Sequence, residues 1–190
     1  MSAARLFPLQ SGGAAEDAAA LLGRRGGLAI EDRTAWPRWG LKGPGSADWL
    51  AADGLALPGL NRWSASEGVR ALRLGRNDVT LTAGPDAAAA LAARRERWEA
   101  AAGPKGYPSW REEGWAWLAL SGAALDAVLA RLTAVDLRPD RFAADAIAQT
   151  RVAHLDAVLL LGGGVAELFF DIAATASVLR EIARAAEARR

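Results

Sequence analysis

The sequence predicts an α+β fold built from two related lobes, each with a mainly antiparallel sheet and with helices on one face of that sheet. Two observations lead to this prediction. Short strand patterns flank tight turns in both halves of the chain, and hairpins of this kind exclude an all-parallel sheet. Helical patterns follow the hairpins, and their apolar stripes have to be buried against a sheet face.

A strand-to-helix turn occurs twice along the chain. In residues 39–50 and 117–129, an apolar run ends in a polar residue and a glycine, and small residues then open a helical pattern. The matching positions are a turn glycine and two leucines: Gly43 with Gly122, Leu41 with Leu120, and Leu50 with Leu129. Glycine allows the tight turn that such a connection needs. We interpret the two stretches as an internal repeat.

A hairpin and a helix follow this turn in the first half. Alternating patterns at 71–74 and 79–82 indicate strands, and residues 75–78 between them are good turn formers. Pro85 then stands where the first turn of a helix tolerates proline. An alanine-rich helix is predicted from there to about Ala102.

The second half follows the same order. Strand patterns at 155–161 and 165–172 flank the glycines at 162–164, and a helix from about Thr175 to Glu187 ends the chain. The apolar residues of that helix recur at the spacing of one face: Val178, Leu179, Ile182 and Ala186. Both halves therefore run strand, helix, strand, hairpin strand, helix.

The domain organisation follows from this repetition. We predict a single domain over residues 1–190 that contains two pseudo-repeated lobes, 28–102 and 110–190. Residues 103–109 contain two glycines and two prolines, which break regular structure, and they form the predicted joint.

The composition indicates a folded chain with few reactive side chains. Of its 190 residues, 52% are hydrophobic, which is enough to close a core and excludes a disordered protein. Lys and Arg number 23 against 22 Asp and Glu, so the formal charge of +1 offers no general attraction to nucleic acid or to a membrane. The chain has no cysteine and one histidine, which excludes disulfides, thiol nucleophiles and a His-rich zinc site.

The N-terminal stretch does not match a secretory signal. Pro8, Gly12 and Glu16 interrupt it, and no continuous apolar segment follows Arg5. Runs such as 158–161 are far shorter than the roughly 20 residues that span a bilayer. We expect a cytoplasmic protein with no membrane partner.

Two glycine-rich turns invite comparison with phosphate loops. The backbone N–H groups of such a loop bind phosphate when a helix follows. A strand pattern follows residues 162–164, so we predict a plain hairpin turn there. Residues 42–45 lack the Lys-Ser/Thr ending of a nucleotide-binding loop, so we predict a strand-to-helix turn there.

Two side chains are candidates for proton transfer. As a general base, His154 would need an orienting partner, and Asp156 two residues on would share its strand face. We favour a structural or interface histidine, since no nucleophile is in view. Asp136 lies just past a helix among apolar neighbours, where an acid either has a raised pKa or, more often, caps a turn.

Eight tryptophans are the most unusual part of the composition. They are Trp36, Trp39, Trp49, Trp63, Trp98, Trp110, Trp115 and Trp117. Trp115 and Trp117 share one face of a predicted strand. Core packing explains some of the rings, and we predict a protein–protein interface for the remainder, where tryptophan is an enriched anchor. A carbohydrate-binding module whose exposed tryptophans stack on sugar is a further hypothesis, and only the number of tryptophans supports it.

Four stretches resemble the gamma subunit of heterotetrameric sarcosine oxidase and of related N-methyl amino acid oxidases and dehydrogenases. They are residues 39–50, 72–81, 116–122 and 129–155, the last running from Leu-Ala-Arg-Leu-Thr-Ala-Val-Asp to Arg-Val-Ala-His-Leu. The resemblance extends over roughly residues 28–185, and the order and spacing of the stretches carry it.

The resemblance implies a subunit with no cofactor of its own. In that family, FAD, FMN and NAD belong to the larger alpha and beta subunits, zinc belongs to the small delta subunit, and the complex uses tetrahydrofolate. The gamma chain is similar in fold to the folate-binding aminomethyltransferases. We therefore expect no catalytic, cofactor-binding or metal-binding residue here, and alpha, beta and delta subunits as partners.

The relation to aminomethyltransferases leaves an alternative open. In those enzymes, an Asn-Asp pair supplies a catalytic aspartate that contacts tetrahydrofolate. Asp136 falls at the matching place, with Val135 where the asparagine would be, and Asp156 alone stands near that family's later paired aspartates. The first hypothesis is a non-catalytic gamma subunit that assembles and stabilises an oxidative N-demethylase. The alternative is an independent tetrahydrofolate-binding or aminomethyltransferase-like protein that uses Asp136.

Overall fold

The computed structural model describes residues 7–10 and 14–188. Residues 1–6, 11–13 and 189–190 lie outside this description, and with them part of the N-terminal stretch and the ends of the predicted 1–190 domain. The chain divides into two compact units. Unit 1 comprises Met1–Ala35, Gly114–Ala144 and Ala148–Arg190, and unit 2 comprises Trp36–Glu113 and Asp145–Ile147.

Helices and strands alternate along the described residues. The helices are α1 (Ala14–Ala19), α2 (Ser46–Ala52), α3 (Ala88–Ala100), α4 (Arg111–Gly114), α5 (Leu125–Leu132) and α6 (Thr175–Glu187). The strands are β1 (Gly23–Arg25), β2 (Leu28–Asp32), β3 (Arg38–Lys42), β4 (Arg62–Ser66), β5 (Val69–Gly75), β6 (Asp78–Ala83), β7 (Tyr107–Pro108), β8 (Trp115–Ser121), β9 (Ile147–Val152), β10 (Leu155–Gly162) and β11 (Val165–Asp171). Short 3-10 turns occur at Pro8–Gln10, Pro85–Ala87 and Ile172–Ala174.

Each unit has its own antiparallel sheet. The sheet of unit 1 has the order β1-β2-β8-β11-β10-β9, and that of unit 2 has the order β4-β5-β6-β3-β7. Leu118 pairs with Leu168 in the first sheet, and Leu41 pairs with Val79 in the second. The predicted α+β class with antiparallel sheets and helices is confirmed.

The core of unit 1 lies between its sheet and α6. Every second residue of β8, namely Ala116, Leu118 and Leu120, belongs to the same buried cluster as Leu179 and Ile182 of α6. The predicted apolar face of α6 is thus the face that it buries. Each fully buried leucine or isoleucine contributes about 1.5–3 kcal/mol relative to exposure.

The core of unit 2 lies on one face of its sheet as well. Trp39 and Leu41 of β3 join Leu81 of β6, Leu50 of α2 and Leu91 of α3 in one buried cluster. These strand residues alternate along the chain, as residues on one face of a sheet must.

Ion pairs supplement this smaller core. Asp53, at the end of α2, contacts Arg94 at 2.7 Å and Arg97 at 2.7 Å, and both arginines lie on α3. Of the α3 residues, all of which are described, Leu91 is the buried one. The ion pairs of Asp53 therefore help to hold α3 in place, a role that apolar contacts fill at α6.

The predicted hairpins are present, with shorter turns. Gly75 pairs with Asp78, so the turn itself is Arg76–Asn77. Gly162 pairs with Val165, and the two residues between them have φ angles of 60° and 76°. Both angles are favourable for glycine in a two-residue hairpin turn.

The helices after these hairpins lie close to their predicted bounds. α6 has the predicted bounds, and α3 ends two residues before the predicted Ala102. Within residues 7–10 and 14–188, the helices are all too short or too polar to cross a bilayer.

The outer edge of β4 is covered by residues from much later in the chain. The backbone N–H of Trp63 donates to the carbonyl of Asp145 at 2.9 Å, and that of Ile147 donates to Asn61 at 2.8 Å. Arg62 adds an ion pair to Asp145 at 2.7 Å. Residues 145–147 thus belong to unit 2, although the chain on either side of them belongs to unit 1.

The two units share an order of elements. In unit 2, β3 is followed by α2, then by β4, β5 and β6, a 3-10 turn and α3. In unit 1, β8 is followed by α5, then by β9, β10 and β11, a 3-10 turn and α6. Residues 28–32 pair within the sheet of unit 1, and 103–109 lie in unit 2. The duplication behind the predicted lobes 28–102 and 110–190 stays a prediction.

Candidate functional site

A cleft of about 500 Å³ opens at the carboxyl end of α5. Its lining comes from α5, from residues 133–139 and from Leu161. Leu129, Leu137 and Leu161 supply apolar surface, while Asp136 and Arg138 supply charge. The cleft combines apolar walls with a few polar groups, which is the usual make-up of a small-molecule site.

Asp136 is fully engaged by Arg138 two residues later. Arg138 Nε donates to Oδ1 at 2.8 Å and to Oδ2 at 3.1 Å, and the backbone N–H of Arg138 donates to Oδ1 at 3.2 Å. Both side chains are exposed. The hydrogen bonds from the Arg138 side chain are the main cause that lowers the pKa of Asp136 to about 2.

Of the two alternatives for Asp136, the less favoured one, a raised pKa, is therefore wrong. Apolar neighbours along the chain do not bury this carboxyl, because it faces solvent and its own Arg138. Its second expected role, as a cap of a turn, is confirmed by the backbone N–H of Arg138. At neutral pH the group is a carboxylate with no proton to donate.

His154 lies in a turn and not on a strand. It forms the two-residue connection between β9 and β10 with Ala153, and the φ angles are 50° for Ala153 and 69° for His154. The prediction that His154 and Asp156 share a strand face is wrong, because β10 begins only at Leu155. The carbonyl of His154 accepts a hydrogen bond from Arg151 at 2.5 Å, and its side chain is exposed.

The turn at residues 42–45 is closed by the segment that follows α3. A Cβ atom on Gly43 would lie 2.4 Å from the ring of Tyr107. One on Gly45 would lie 2.6 Å from the carbonyl of Pro104. Lys42 pairs with Asp78 at 3.2 Å. The turn is a packed strand-to-helix connection, as predicted, and its glycines allow the close approach of neighbouring chain.

Two of the eight tryptophans lie in the interior. Trp117 is 1% exposed, its Nε1 donates to Glu167 Oε2 at 2.7 Å, and its ring centre lies 5.0 Å from that of Phe169. Trp39 is 4% exposed and makes edge-to-face contacts with Trp49 and Trp98. Such contacts add to the apolar area that the rings bury.

Trp110 is the opposite case. It is 69% exposed, the highest value among the large apolar side chains of the described residues. The expectation that the tryptophans divide between core and surface is met by these rings. An interface role for the exposed one stays a prediction.

Buried charges are the residues that the sequence analysis missed. Arg38 is 1% exposed, and Glu167, which pairs with Arg33 at 3.8 Å, is 7% exposed. Alternating apolar neighbours on β3 and β11 are the one sequence signal that places them in a sheet. Charged side chains are almost never buried without a partner, so sequence alone assigns them to the surface.

Among residues 7–10 and 14–188, no three or more His, Cys, Asp or Glu side chains are grouped so that they could hold a metal ion. The cleft beside Asp136 is a concave candidate for a small-molecule ligand. The Asp136 carboxylate in this cleft already accepts hydrogen bonds from Arg138.

No family model matches the chain, and no curated protein matches its sequence. Solved structures do share its fold. A chain of the heterotetrameric sarcosine oxidase from Corynebacterium sp. U-96, in complex with pyrrole 2-carboxylate, has a TM-score of 0.74 at 21% identity, over 96% of this chain and 95% of that chain.

A second solved structure extends the comparison to an enzyme. Aminomethyltransferase T of the glycine cleavage system from Bartonella henselae has a TM-score of 0.60 at 16% identity, over 90% of this chain and 48% of that chain. The present chain thus spans about half the length of the aminomethyltransferase and nearly all of the sarcosine oxidase chain. The two comparisons show that the fold is shared.

Proposed function

We propose that this chain is the gamma-type subunit of a sarcosine oxidase-like heterotetramer that oxidatively demethylates an N-methyl amino acid. One observation carries the proposal. The fold matches one chain of a heterotetramer from end to end, over 96% of this chain and 95% of the other. The role that we infer is to assemble and stabilise the complex.

The partners and cofactors follow from the same proposal. The partners are larger alpha and beta flavoprotein subunits and a small delta subunit. FAD, FMN, NAD, zinc and tetrahydrofolate would be bound in those subunits. The proposal also carries the cytoplasmic location, the two pseudo-repeated lobes, and the expectation that this chain supplies no catalytic residue.

The state of Asp136 supports a role without catalysis. Its carboxylate oxygens accept hydrogen bonds from Arg138, at 2.8 Å to Oδ1 and at 3.1 Å to Oδ2. A carboxylate that acts in proton transfer needs a pKa near the working pH, whereas Arg138 holds the pKa of Asp136 at about 2.

Co-expression with the products of the neighbouring genes tests the proposal. We expect the chain to co-purify with the larger subunits in a complex whose native mass equals one copy of each. Omission of this chain should lower the yield or the thermal stability of the remaining subunits. A chain that stays monomeric beside soluble, correctly folded neighbours would overturn the proposal.

A second candidate function is an independent tetrahydrofolate-binding protein. Two observations favour it: the fold likeness to an aminomethyltransferase and the cleft of about 500 Å³ beside Asp136. The apolar walls fit an aromatic ring system. A folate that contacts the carboxylate would have to displace Arg138.

Calorimetry with tetrahydrofolate on the isolated chain separates the two candidates. If the chain is a tetrahydrofolate-binding protein, binding is saturable and Asp136→Asn abolishes it. Arg138→Gln strengthens binding, because the Asp136 carboxylate is then free to contact the folate. Asp140→Asn, an exposed acid outside the cleft, is the matched control. Undetectable heat at millimolar tetrahydrofolate removes this candidate.

A further inference from the structure

An exposed aromatic pair stands out on the surface of unit 2. Trp110 is 69% exposed and Tyr107 is 57% exposed, and two residues lie between them in the chain. Tryptophan buries more area on binding than most other residues and is enriched among the residues that dominate protein interfaces.

The backbone at Trp110 is held in an uncommon conformation. Its φ angle is 52°, in the left-handed region that bulky residues rarely adopt. Such a conformation persists only where the surrounding structure fixes it, and it is found preferentially at functional sites.

The surrounding structure does fix it, on both sides of Trp110. The N–H of Ser109 donates to the carbonyl of Gly40 at 2.9 Å. Buried Arg38 donates from Nε to the carbonyl of Arg111 at 2.8 Å and from a terminal nitrogen to that of Glu112 at 3.0 Å. The indole is therefore presented on an immobilised segment.

The side chain of Arg111 adds a second anchor. It donates to both carboxylate oxygens of Asp78, at 2.9 Å and 3.1 Å, and to Thr80 at 3.1 Å. A side chain displayed by a rigid segment loses less conformational entropy on binding than a mobile one.

The charges near Trp110 favour a protein partner. Arg95 pairs with Glu112 at 3.1 Å and with Glu99 at 3.1 Å, while Arg111 pairs with Asp78. Positive and negative groups are therefore paired with one another around the indole. A surface with no excess of positive charge does not attract nucleic acid or an anionic membrane.

A notch of about 60 Å³ lies beside Trp110. Trp39, Arg95 and Glu112 are among the residues that line it, so apolar and charged groups border the indole.

We propose that Trp110 is the anchor through which this chain docks onto a larger subunit of the complex. The partner surface would offer an apolar pocket for the indole within a rim of both charge signs. This inference rests on the proposed function and adds the surface of the chain that carries the assembly.

The affinity of this chain for the separately purified larger subunits tests the inference. We expect Trp110→Ala to weaken binding at least about 30-fold, as loss of a dominant interface residue does. Leu60→Ala, at a residue that is 58% exposed on the same unit, is the matched control and should change affinity less than about threefold. Circular dichroism and thermal melting would check that both variants fold.

The outcomes distinguish this inference from the proposed function. If the affinity of the Trp110→Ala variant for the larger subunits stays within threefold of the wild-type value and the complex still assembles, the docking surface is wrong and the proposed function stands. Wild-type chain that fails to bind the larger subunits overturns both. Self-association of the isolated chain that Trp110→Ala abolishes would make a second copy the occupant and would also overturn the inference.

Discussion

Units 1 and 2 share one run of strands and helices, from β8 to α6 and from β3 to α3, yet they hold the helix that ends this run in different ways. α6 of unit 1 buries a continuous apolar face that includes Val178, Leu179 and Ile182. α3 of unit 2 buries Leu91, packs Trp98 against Trp39 and is held in addition by ion pairs to Asp53. One topology therefore tolerates two balances of apolar and ionic stabilisation.

The strand-to-helix turns differ in the same sense. A Cβ atom on Gly122 would meet the backbone carbonyl of Gly27 at 2.4 Å, whereas one on Gly43 would meet the ring of Tyr107 at 2.4 Å. The first neighbour is fixed backbone in a hairpin, and the second is an exposed side chain. The neighbour of Gly43 can thus move aside where that of Gly122 cannot, and unit 2 carries the exposed aromatic residues.

The largest expected effect is the loss of an apolar contact in unit 1. Leu179→Ala should lower the free energy of unfolding by about 4 kcal/mol, because a fully buried site among strands and a helix cannot collapse around the cavity. Leu91→Ala should cost only about 2–3 kcal/mol, since exposed neighbours on α3 can relax. Urea unfolding of both variants measures this. Equal losses of unfolding free energy in the two variants would contradict the difference between α6 and α3.

The turn glycines should rank next. Gly122→Ala should cost about 3 kcal/mol, from left-handed strain and from displacement of the Gly27 backbone. Gly43→Ala should cost about 1–2 kcal/mol, because Tyr107 can rotate away. Gly163→Ala, with a φ angle of 60° and open space around it, isolates the strain alone at about 1 kcal/mol. A Gly43→Ala loss equal to that of Gly122→Ala contradicts this difference between the two turns.

The ion pairs of α3 should give a smaller, pH-dependent effect. The Arg97 hydrogen bonds are the main cause that lowers the pKa of Asp53 below its ordinary value of 3.8, although partial burial opposes them. A lowered pKa in the folded state adds stability above pH 3.8, and that stability is lost as the pH falls below it.

Asp53→Asn should therefore cost about 1–2 kcal/mol at pH 7, a modest value because Arg97 is half exposed. It should also flatten the fall in stability between neutral pH and pH 3. Unfolding at several pH values measures both. A wild-type and a mutant curve that stay parallel down to pH 3 would contradict the role of Asp53.

The smallest effect is expected at Asp136 in unit 1, where the pair with Arg138 is exposed. Asp136→Asn should leave the melting temperature nearly unchanged. The carboxyl carbon of Asp136, followed by NMR, should titrate near pH 2, and Arg138→Gln should raise that midpoint toward 3.8. A midpoint that does not move in Arg138→Gln would show that another group holds the carboxylate.

Local patterns carried most of what sequence could predict of the fold. The apolar spacing in 175–187 predicted α6 to the residue, and the turn-forming residues at 75–78 and 162–164 predicted two hairpins. These features depend on neighbours in the chain, which a sequence shows directly.

Turns without a turn signal were missed. Ala153 and His154 adopt positive φ angles that alanine and histidine rarely take, so the local sequence continued a strand pattern through them. The short β7 was likewise unrecognised, because Tyr107–Pro108 becomes a strand only by pairing with β3. Such conformations are imposed by contacts distant in the chain.

The candidate site was located by sequence, but its chemistry was not. The position of Asp136 after a helix was visible, whereas its bidentate contact with Arg138 depends on the shape of the loop. In the sequence nothing distinguishes Trp110 from the other seven tryptophans. In the structure Trp110 is exposed, whereas Trp39 and Trp117 are buried. The exposure of one ring among eight is a property of packing and is not encoded by its neighbours.

The cover over the edge of β4 has a consequence for synthesis on the ribosome. All strands of the unit 2 sheet are complete once residue 108 has been made, yet residues 145–147 follow much later. A ribosome adds residues 109–145 in about 2 to 7 s at roughly 5–20 residues per second. During that interval the nascent sheet presents an unpaired edge, the kind of surface that chaperones shield and neighbouring nascent chains can join. A chain that terminates at residue 144 would keep this edge open for its whole lifetime.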